Sequence, residues 1–405
     1  MRYPRMIISL LENDLYKWSM GQAIYRMFSK YRTRWSFRCR NTDVCFTHEM
    51  IEEIRAQLKE YCNLRFSEDE LDYLAGIRWI EPDYIDFLRI WRPRFEDFLI
   101  EETTDGCHLK IQTFGTWLNT SMYEIPILAI VNEVYYRMKY DYMELLTEFM
   151  YRADRKRSRI ETAHYRLGTF SEFGLRRRLS SDAQDYIVRS LRTMVKPNDT
   201  TFIGTSNVYL ARKYGLTPVG TMAHEFIQCV GQGNHKHNPA YSNYYMMKAW
   251  EQQYGVDNGI ALTDCLNTDV FLRDFSKRFA TLFSGVRHDS GDPVVWGNKI
   301  LAHWQKLGID PHTKTLLFSD SLNFEKADAL YKQFHEFTNV AFGIGTYLTN
   351  DTSVEPLNIV CKVIECNGNP VAKLSDNPSK GICEDKAYIE YLKRSIDWRL
   401  NNTND

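Results

Sequence analysis

The sequence predicts an α/β protein in which an N-terminal mixed α+β domain precedes an α/β barrel. The chain has 405 residues, which is more than one simple core usually organises. From Arg166 onward, a short apolar run, a few small or polar residues and an amphipathic helix recur in turn, which is typical of β/α units around a parallel sheet. Seven of these apolar runs end in polar or glycine residues, as barrel strands do at the face that carries a site.

Composition and charge exclude several classes of protein. The 51 Lys and Arg residues nearly balance the 52 Asp and Glu residues, so no net field attracts nucleic acid or an anionic membrane. Nine cysteines without a C-x-x-C pair argue against a disulfide framework and a zinc ribbon. No run approaches membrane-spanning length, and no signal peptide is recognisable. We therefore expect a cytoplasmic protein that has neither nucleic acid nor a membrane as a partner.

The first third of the chain has mixed structure of its own. Residues 14–29 carry apolar side chains at helical spacing, and residues 31–40 alternate as a half-buried antiparallel strand with a basic face. Ser67 and Glu70 form a capping box, and Asp105-Gly106 predicts a hairpin turn. From about Met122 the pattern becomes helical.

The residues that follow the seven apolar runs are the candidates for a site. The carboxyl ends of parallel strands meet at one edge of a sheet, so these side chains are expected to lie together. The runs are 165–170, 201–204, 216–221, 260–263, 282–286, 315–318 and 340–342, and they are followed by Phe173 and Arg176, Thr205 and Ser206, His224, Asp264, Arg287 and Asp289, Ser319 and Asp320, and Gly343, Gly345 and Thr346.

Residues 287–293 (RHDSGDP) place a cation, a histidine, two carboxylates, a hydroxyl and a glycine directly after an apolar run. We interpret residues 279–286 as a buried strand, and the polar residues as a ligand-binding loop at its C-terminal end. Pro293 suits the first turn of a following helix. The alternative is ordinary turn and N-cap chemistry without a ligand.

His224 is the candidate nucleophile or proton carrier of the set, because Asp264 or Asp289 could orient its imidazole. Taken alone, such a histidine is more often a hydrogen-bonded core residue. The pair His235 and His237 has no third ligand at a suitable spacing, so a flexible loop is favoured over a metal site there.

Two further motifs favour phosphate binding. Gly343-Ile344-Gly345-Thr346 offers backbone N–H groups after a buried strand, although it lacks the third glycine of a dinucleotide fingerprint. Arg176-Arg177-Arg178 suits a polyphosphate clamp, because guanidinium groups match phosphate oxygens. A solvated basic turn is the alternative for the three arginines.

The C-terminal segment is predicted to return to the first domain. Asn367-Gly368 is a strong hairpin signal between the apolar runs 357–365 and 370–374. We therefore divide the chain into an N-terminal α+β domain, residues 1–135, joined by residues 356–405, and a catalytic α/β domain, residues 136–355.

Several segments together resemble the nicotinate phosphoribosyltransferase family, nearly from end to end. The resemblance implies an irregular α/β barrel of the type II phosphoribosyltransferase kind and a homodimer with its sites at the subunit interface. The segments are 13–17 (NDLYK), 37–40 (FRCR), 173–178 (FGLRRR), 204–207 (GTSN), 220–225 (GTMAHE), 261–264 (ALTD), 287–293 (RHDSGDP), 342–346 (FGIGT), 366–368 (CNG) and 372–375 (AKLS).

The resemblance also implies a role for each candidate residue. It assigns the pyridine ring to two aromatic side chains, one from each subunit, at the positions of Tyr16 and Phe173. It makes His224 a phosphohistidine oriented by Asp264, and it places a serine, Ser206, where relatives that prefer nicotinamide carry an aspartate. The remaining assignments are Arg176 for the ring substituent or phosphates, Thr205 for substrate binding, Asp289 for the ribose hydroxyls, Arg287 for the developing charge, and Arg177, Ser319, Asp320, Gly343, Gly345, Thr346, Lys373 and Lys380 for phosphates. A solvated hairpin is the alternative for Lys373 and Lys380.

The implied reaction joins nicotinate to 5-phosphoribosyl 1-diphosphate in NAD salvage, with ATP as a cosubstrate and Mg²⁺ as a cofactor. No residue is assigned as a direct ligand of Mg²⁺. Three alternatives stay open, namely a nicotinamide phosphoribosyltransferase, a metal-dependent phosphohydrolase and a catalytically silent nucleotide-binding protein. Ser206 disfavours the first, because a carboxylate substrate would be repelled by an aspartate but not by a serine.

Overall fold

A computed structural model of the chain describes residues 3–103, 108–162, 165–194, 200–377, 380–381 and 383–402. The turn predicted at Asp105-Gly106 lies outside these residues. The helices are α1 (Leu15–Met27), α2 (His48–Cys62), α3 (Glu68–Ala75), α4 (Pro82–Ile90), α5 (Trp117–Lys139), α6 (Tyr142–Glu161), α7 (Ser181–Arg192), α8 (Val208–Tyr214), α9 (His224–Gln232), α10 (Ser242–Tyr254), α11 (Thr268–Asp274), α12 (Lys277–Leu282), α13 (Pro293–Leu307), α14 (Phe324–Phe334), α15 (Thr346–Thr349) and α16 (Lys386–Asn402). The strands are β1 (Arg32–Cys39), β2 (Phe98–Glu102), β3 (Leu109–Thr116), β4 (Gly168–Glu172), β5 (Thr200–Thr205), β6 (Thr217–Pro218), β7 (Ile260–Leu262), β8 (Gly285–His288), β9 (Thr315–Phe318), β10 (Asn339–Ile344), β11 (Ile359–Cys366) and β12 (Asn369–Pro370).

The second half of the chain forms a parallel sheet of seven strands in the order β6-β5-β4-β10-β9-β8-β7. The sheet curls into a half-barrel, and its edge strands β6 and β7 do not pair with each other within the described residues. The predicted irregular α/β barrel is thus confirmed in this open form. All seven strand ends lie at one edge because every pair is parallel.

A separate antiparallel sheet of five strands has the order β12-β11-β1-β3-β2. Its central strand β1 buries Trp35 and Phe37 and pairs with β11 on one side and β3 on the other. The C-terminal strand β11 therefore pairs with the first strand of the chain, and β12 extends the sheet beyond it. The domain bounds at residues 135 and 356 remain a prediction.

Helix α5 packs against the antiparallel sheet and against the 3-10 turn Leu175–Arg177 that leads out of β4. It is buried along most of its 23 residues, which agrees with an apolar composition on every face. Glu124 and Glu133 are buried in this helix, so each carboxylate needs a partner. No helix in the described part of the chain is both long enough and apolar enough to cross a membrane.

Local signals in the sequence account for several element ends. The capping box of Ser67 and Glu70 begins α3 as predicted. Asp292 accepts hydrogen bonds from the backbone N–H groups of Val294 and Val295, and Pro293 opens α13. The 287–293 loop is therefore fixed at its C-terminal end by its own cap.

The interpretation of residues 279–286 as one strand was wrong in its first half. Residues up to Leu282 belong to the helix α12, and the strand β8 begins only at Gly285. Phe279 and Phe283 lie one helical turn apart, with ring centroids 6.4 Å from each other in the core. A short apolar run without alternation does not distinguish a buried strand from a buried helix.

The hairpin predicted at Asn367-Gly368 joins β11 to β12, and both residues have positive φ angles, 52° and 79°. Strand β12 is much shorter than the predicted run 370–374. The chain leaves the sheet after Pro370, because the backbone N–H of Ala372 donates to the side chain of Gln232 at 2.7 Å. This departure directs residues 372–376 toward the ends of the parallel strands.

Candidate active site

A cavity of about 580 Å³ lies at the C-terminal ends of the parallel strands. Residues from both sheets and from α5 line it, so the cavity lies between the two halves of the fold. The predicted site residues among its lining are Tyr16, Phe173, Arg176, Arg177, Ser206, His224, Arg287, Asp289, Ser319, Asp320, Gly345, Thr346, Lys373 and Lys380.

His224 begins α9, the helix that follows the edge strand β6, and its ring is buried against Asp264, which follows β7. The Nε2 atom lies 2.8 Å from Oδ1 of Asp264 and 3.7 Å from Oδ2 of Asp289. The second oxygen of Asp264 accepts hydrogen bonds from Ser290 at 2.6 Å and from Ser375 at 3.2 Å. The carboxylate of Asp264 is thereby fixed and in turn fixes the orientation of the ring.

Burial and the neighbouring ammonium of Lys373 lower the pKa of His224 to about 4, although Asp264 and Asp289 oppose the shift. Burial works the other way for Asp264, but His224 and Lys373 outweigh it and hold the pKa of this carboxyl well below its usual range. His224 is therefore a neutral imidazole at neutral pH, held by an ionised carboxylate. A neutral imidazole in such a setting is a competent nucleophile.

Asp289 follows β8, and its polar neighbours come from three segments of the chain. Arg287 donates to Oδ1 at 3.5 Å, and the hydroxyl of Ser319, which follows β9, lies 3.1 Å from the same oxygen and 2.9 Å from the backbone carbonyl of His288. Lys373 lies 3.8 Å from Oδ2. Burial alone would raise the pKa of Asp289, but Arg287 and Lys373 lower it to about 2. Its contacts with the nearby charges are long enough to leave room for a ligand.

Two lysines reach the cavity from the segment that follows the C-terminal hairpin. Lys373 contacts Oδ2 of Asp264 at 2.9 Å, and these acidic neighbours raise the pKa of Lys373 against the effect of burial. Lys380 forms an ion pair with Asp320 and donates to the backbone carbonyl of Asp289 at 3.2 Å. The C-terminal segment thus adds positive charge to the strand ends of the barrel.

A further part of the cavity lining, which we call its aromatic end, is aromatic and basic. Tyr16 from α1 and Phe173 from the loop after β4 both line it within one chain. Arg176 and Arg177 follow Phe173, and burial together with Arg176 and Arg40 lowers the pKa of Arg177 to about 10. An aromatic slot beside guanidinium groups suits a flat ring that carries an anionic substituent.

The cavity as a whole favours a polyanion. Its lining includes seven Lys and Arg side chains and four Asp and Glu side chains. Such an excess in a partly enclosed space concentrates anionic ligands. The cations are Arg40, Arg176, Arg177, Arg287, Lys362, Lys373 and Lys380, and the carboxylates are Asp14, Glu124, Asp289 and Asp320.

The cavity also has donors that suit Mg²⁺ brought in by phosphates. His224, Asp264 and Asp289 have potential ligand atoms within 4.8 Å of one another, but the ammonium of Lys373 already contacts both carboxylates. Mg²⁺ prefers oxygen ligands and usually binds through one or two carboxylates together with substrate phosphates. Asp289 and Asp320 fit that requirement, whereas a site formed by protein atoms alone is not favoured.

Two family models match the chain. The nicotinate phosphoribosyltransferase (NAPRTase) family model matches residues 169–399, and the N-terminal domain model of the same family matches residues 11–132. The chain belongs to the nicotinate phosphoribosyltransferase family. The resemblance inferred from the sequence motifs is thereby confirmed.

Individual relatives of this family agree with the assignment. The chain is 42% identical to the nicotinate phosphoribosyltransferase of Cupriavidus necator over 391 residues, which cover 96% of this chain and 98% of that protein. The crystal structure of nicotinate phosphoribosyltransferase from Vibrio cholerae matches with a TM-score of 0.89 and 34% identity, over 97% of this chain and 95% of the other. The Porphyromonas gingivalis enzyme matches with a TM-score of 0.88 and 35% identity, over 96% and 99% of the two chains.

Three residues that the family resemblance assigned to the site do not line the cavity. Asp264 lies behind His224. Thr205 is fully buried and donates its hydroxyl hydrogen to Glu172 at 2.6 Å, so it supports the loop after β4 instead of facing a substrate. Gly343 lies under the ring of Phe173, where a Cβ atom would come within 2.3 Å of the ring, so its lack of a side chain positions the aromatic residue.

Two of the three consecutive arginines that were predicted to form a polyphosphate clamp line the cavity. Arg178 is buried away from the cavity and binds Glu12 at 2.8 Å and the backbone carbonyl of Met6 at 2.7 Å. Only Arg176 and Arg177 line the cavity. The 3-10 turn at Leu175–Arg177 separates the directions of the three side chains, which sequence spacing alone does not show.

Sequence reasoning gave no role to several residues that line the cavity, among them Asp14, Glu124 and Lys362. A signal was present for Glu124 and Lys362, because each is a charged residue within an apolar helix or strand. Lys362 alternates with buried Cys361 and Val363 in β11. Charges in such positions require a buried partner, but sequence does not identify which one.

These charges form a network that we call the Lys17 network, made up of Lys17, Glu124, Glu225 and Lys362. Lys17 has no exposed surface, and its Nζ atom lies 2.7 Å from a carboxylate oxygen of Glu124 and 2.7 Å from one of Glu225. Lys362 contacts the other oxygen of Glu124 at 3.0 Å. The network joins α1, α5, α9 and β11, and two of its members, Glu124 and Lys362, line the cavity. It therefore holds the helix that begins with His224 against the aromatic end of the site.

Proposed function

We propose that the protein is an ATP-dependent nicotinate phosphoribosyltransferase. It transfers the phosphoribosyl group of 5-phosphoribosyl 1-diphosphate to nicotinate and releases nicotinate mononucleotide and diphosphate. Hydrolysis of ATP through a phosphohistidine at His224 accompanies the transfer. Family membership supports the transfer reaction, and the chemistry of the cavity supports the rest of the proposal.

The aromatic end of the cavity binds the base. Tyr16 and Phe173 contact the faces of the pyridine ring, and Arg176 pairs with its carboxylate. The pyridine nitrogen has no proton to lose, so it attacks C1 of the ribose without a general base. Binding and orientation are therefore the main contributions of these residues.

The strand ends of β8 to β10 bind the sugar and its phosphates. C1 of the ribose gains positive charge as its bond to the diphosphate oxygen breaks, and the negative charge moves to the diphosphate. Asp289 accepts hydrogen bonds from the ribose hydroxyls, while Arg287 and Lys373 lie beside the departing diphosphate. Mg²⁺, held by substrate phosphates with Asp289 and Asp320, would supply further positive charge there.

His224 is the phosphoryl acceptor. Its Nε2 atom bonds to Asp264, which leaves Nδ1 as the nucleophilic nitrogen. Nδ1 attacks the γ-phosphorus of ATP, an N–P bond forms, and the bond to the β-phosphate oxygen breaks as ADP leaves. Water then hydrolyses the phosphohistidine and returns the neutral imidazole. The added phosphoryl charge beside Asp289 and Lys373 alters the affinity of the cavity for phosphorylated ligands.

The observation that carries this proposal is the 2.8 Å contact between Nε2 of His224 and Asp264 at the edge of a cationic cavity. The test is incubation with Mg²⁺ and ATP labelled at the γ-phosphate, with the parent compared with His224→Ala. We expect an acid-labile label on the parent and none on the variant. Equal labelling of both proteins would contradict the assignment of His224, and lack of nicotinate mononucleotide in parent assays would contradict the transfer function.

The assembly is a further part of the proposal. We expect a cytoplasmic homodimer, in agreement with the family resemblance, with residues 1–135 and 356–405 as one unit. Both Tyr16 and Phe173 already line one cavity in a single chain, so a partner subunit would complete the cavity instead of supplying one of these rings. Sedimentation analysis of the parent tests this expectation, because a monomer with full activity would contradict it.

A further inference from the structure

Asp14 occupies an unusual position for an aspartate at the start of a helix. It is the N-cap residue of α1, yet its side chain makes no capping hydrogen bond to the helix. Its Oδ1 atom instead accepts a hydrogen bond from the Ser206 hydroxyl at 2.6 Å, and both side chains line the cavity. The carboxyl group is thus directed away from its local role and toward the site.

The two side chains differ in how they can present hydrogen to a ligand. A serine hydroxyl has one hydrogen and two lone pairs. While Asp14 is ionised, Ser206 donates its hydrogen to Asp14 and offers a ligand only lone pairs. When Asp14 is protonated, it can donate to Ser206, and the hydroxyl hydrogen of Ser206 can then turn to the ligand. The charge of Asp14 therefore sets whether Ser206 acts as a donor or an acceptor.

The surroundings of Asp14 favour its protonated form more than water does. Burial raises the pKa of Asp14, and Glu124 adds to the shift, while Arg176 and the hydrogen bond from Ser206 oppose it without cancelling it. A second buried carboxyl, Glu172 at the end of β4, has its own pKa raised to about 7 by burial. The groups that face Asp14 from the packed elements are Arg176, Glu124, Glu172, Tyr16 and Ser206.

We infer that the Asp14–Ser206 pair selects between a pyridine carboxylate and a pyridine carboxamide by its protonation state. The protonated pair directs a hydrogen toward the ring substituent and favours a carboxylate, which only accepts hydrogen bonds. The ionised pair offers a lone pair and a negative charge, which favour an amide N–H and repel a carboxylate. The inference rests on the proposed function and refines its substrate preference.

The test is the ratio of kcat/KM for nicotinate to that for nicotinamide, measured from mildly acidic to mildly alkaline pH. In the parent we expect the ratio to fall with rising pH by on the order of 10- to 100-fold, the range of one hydrogen bond to a charged group. In Asp14→Asn, which cannot ionise, the ratio should not depend on pH. Asp141→Asn is the matched control, because Asp141 is an exposed N-cap aspartate that does cap its helix, and this variant should follow the parent.

A binding measurement covers the case in which a variant turns over poorly. Calorimetric titration with nicotinate in two buffers of different ionisation enthalpy reports the protons taken up, which should be lost in Asp14→Asn. The inference is overturned if the nicotinate-to-nicotinamide ratio of kcat/KM does not depend on pH in the parent. It is also overturned if the pH dependence of this ratio persists in Asp14→Asn but disappears in Glu172→Gln. A parent that transfers no phosphoribosyl group to either base contradicts the proposed function instead.

Discussion

Two buried clusters of charge lie side by side in this protein, and they are built differently. In the Lys17 network the ammonium of Lys17 has no exposed surface and contacts two carboxylates at 2.7 Å each. We call the second cluster the His224 cluster, and it is made up of His224, Asp264, Asp289 and Lys373. In it, Asp264 has close contacts with His224 and Lys373, whereas Asp289 does not. Asp289 keeps a quarter of its side chain exposed, and its nearest charged contacts in the cluster are 3.7 and 3.8 Å away.

The difference indicates what each cluster contributes. Charges already paired at short distance have little left to offer a ligand, and they stabilise the fold only as long as every partner is present. Charges held near one another without close pairing can form stronger contacts with a bound phosphate or ribose. Substitutions in the Lys17 network should therefore mainly affect stability, and substitutions in the His224 cluster should mainly affect activity.

Lys17→Met should have the largest effect. It leaves Glu124 and Glu225 buried without their shared cation, and breaking a buried pair in this way costs about 3–5 kcal/mol of unfolding free energy. Lys373→Met should cost about 1–3 kcal/mol, because Asp264 keeps His224, Ser290 and Ser375 as partners. Urea unfolding with an unchanged m value measures both losses. Equal destabilisation by the two variants would contradict the comparison.

Asp289→Asn, in the His224 cluster, should lower activity more than stability. The variant loses a negative charge at the ribose while keeping the size of the side chain, so we expect kcat/KM to fall by on the order of 10²–10³-fold, as for other groups that stabilise developing charge. The unfolding free energy should fall by about 1–3 kcal/mol, less than in Lys17→Met, because the lowered pKa of Asp289 means that Arg287 and Lys373 stabilise its charge in the folded chain. The control is Asp269→Asn, an exposed aspartate paired with Lys299 at 2.7 Å, which should leave both quantities unchanged. Steady-state assays with nicotinate would refute the prediction if the two variants behaved alike.

The sequence predicted which side chains gather at the strand ends better than it predicted what each one touches. The recurring β/α pattern placed His224, Asp264 and Asp289 at one edge, because parallel strands must present their C-terminal ends together. Thr205 lies at the same edge but bonds to the interior carboxylate of Glu172, and no spacing in the sequence distinguishes the two directions. Periodicity reports the element and its face, whereas hydrogen-bond partners depend on distant residues.

The Lys17 network is a part of the structure that the sequence does not predict. Its members come from positions as distant as Lys17 and Lys362, and each appears as an isolated charge in an apolar segment. Such charges indicate that a partner exists, because an unpaired buried charge is costly. The pairing itself follows from how α5 packs between the two halves of the fold, which is a property of the whole chain and not of any motif.

Two buried serines provide a smaller and more closely matched test of the same comparison. Ser290 donates to Asp264 at 2.6 Å in the His224 cluster, and Ser121 donates to Glu225 in the Lys17 network. Each alanine variant should lose about 1–3 kcal/mol, the usual contribution of a hydrogen bond to a charged group. Only Ser290→Ala should also slow phosphoryl labelling of His224, because Asp264 then holds the ring less firmly. Labelling that is slowed equally by Ser121→Ala would show that the network also acts on the chemistry.

A further expectation concerns pH, because the activity of the His224 cluster should be insensitive over a range in which an ordinary histidine titrates. With a pKa of about 4, His224 stays neutral as the pH falls below 6.5, so the rate of labelling should remain level until the pH approaches 4. Stability behaves differently over the same interval. The unfolded chain binds a proton on this histidine that the folded chain does not, so the unfolding free energy should decrease as the pH falls from about 6.5 to about 4 and level off below. His224→Gln should remove that part of the slope, as measured by urea unfolding at each pH. A labelling rate that falls near pH 6.5 in the parent would mean that the ring is protonated there, and that burial and Lys373 do not control its charge.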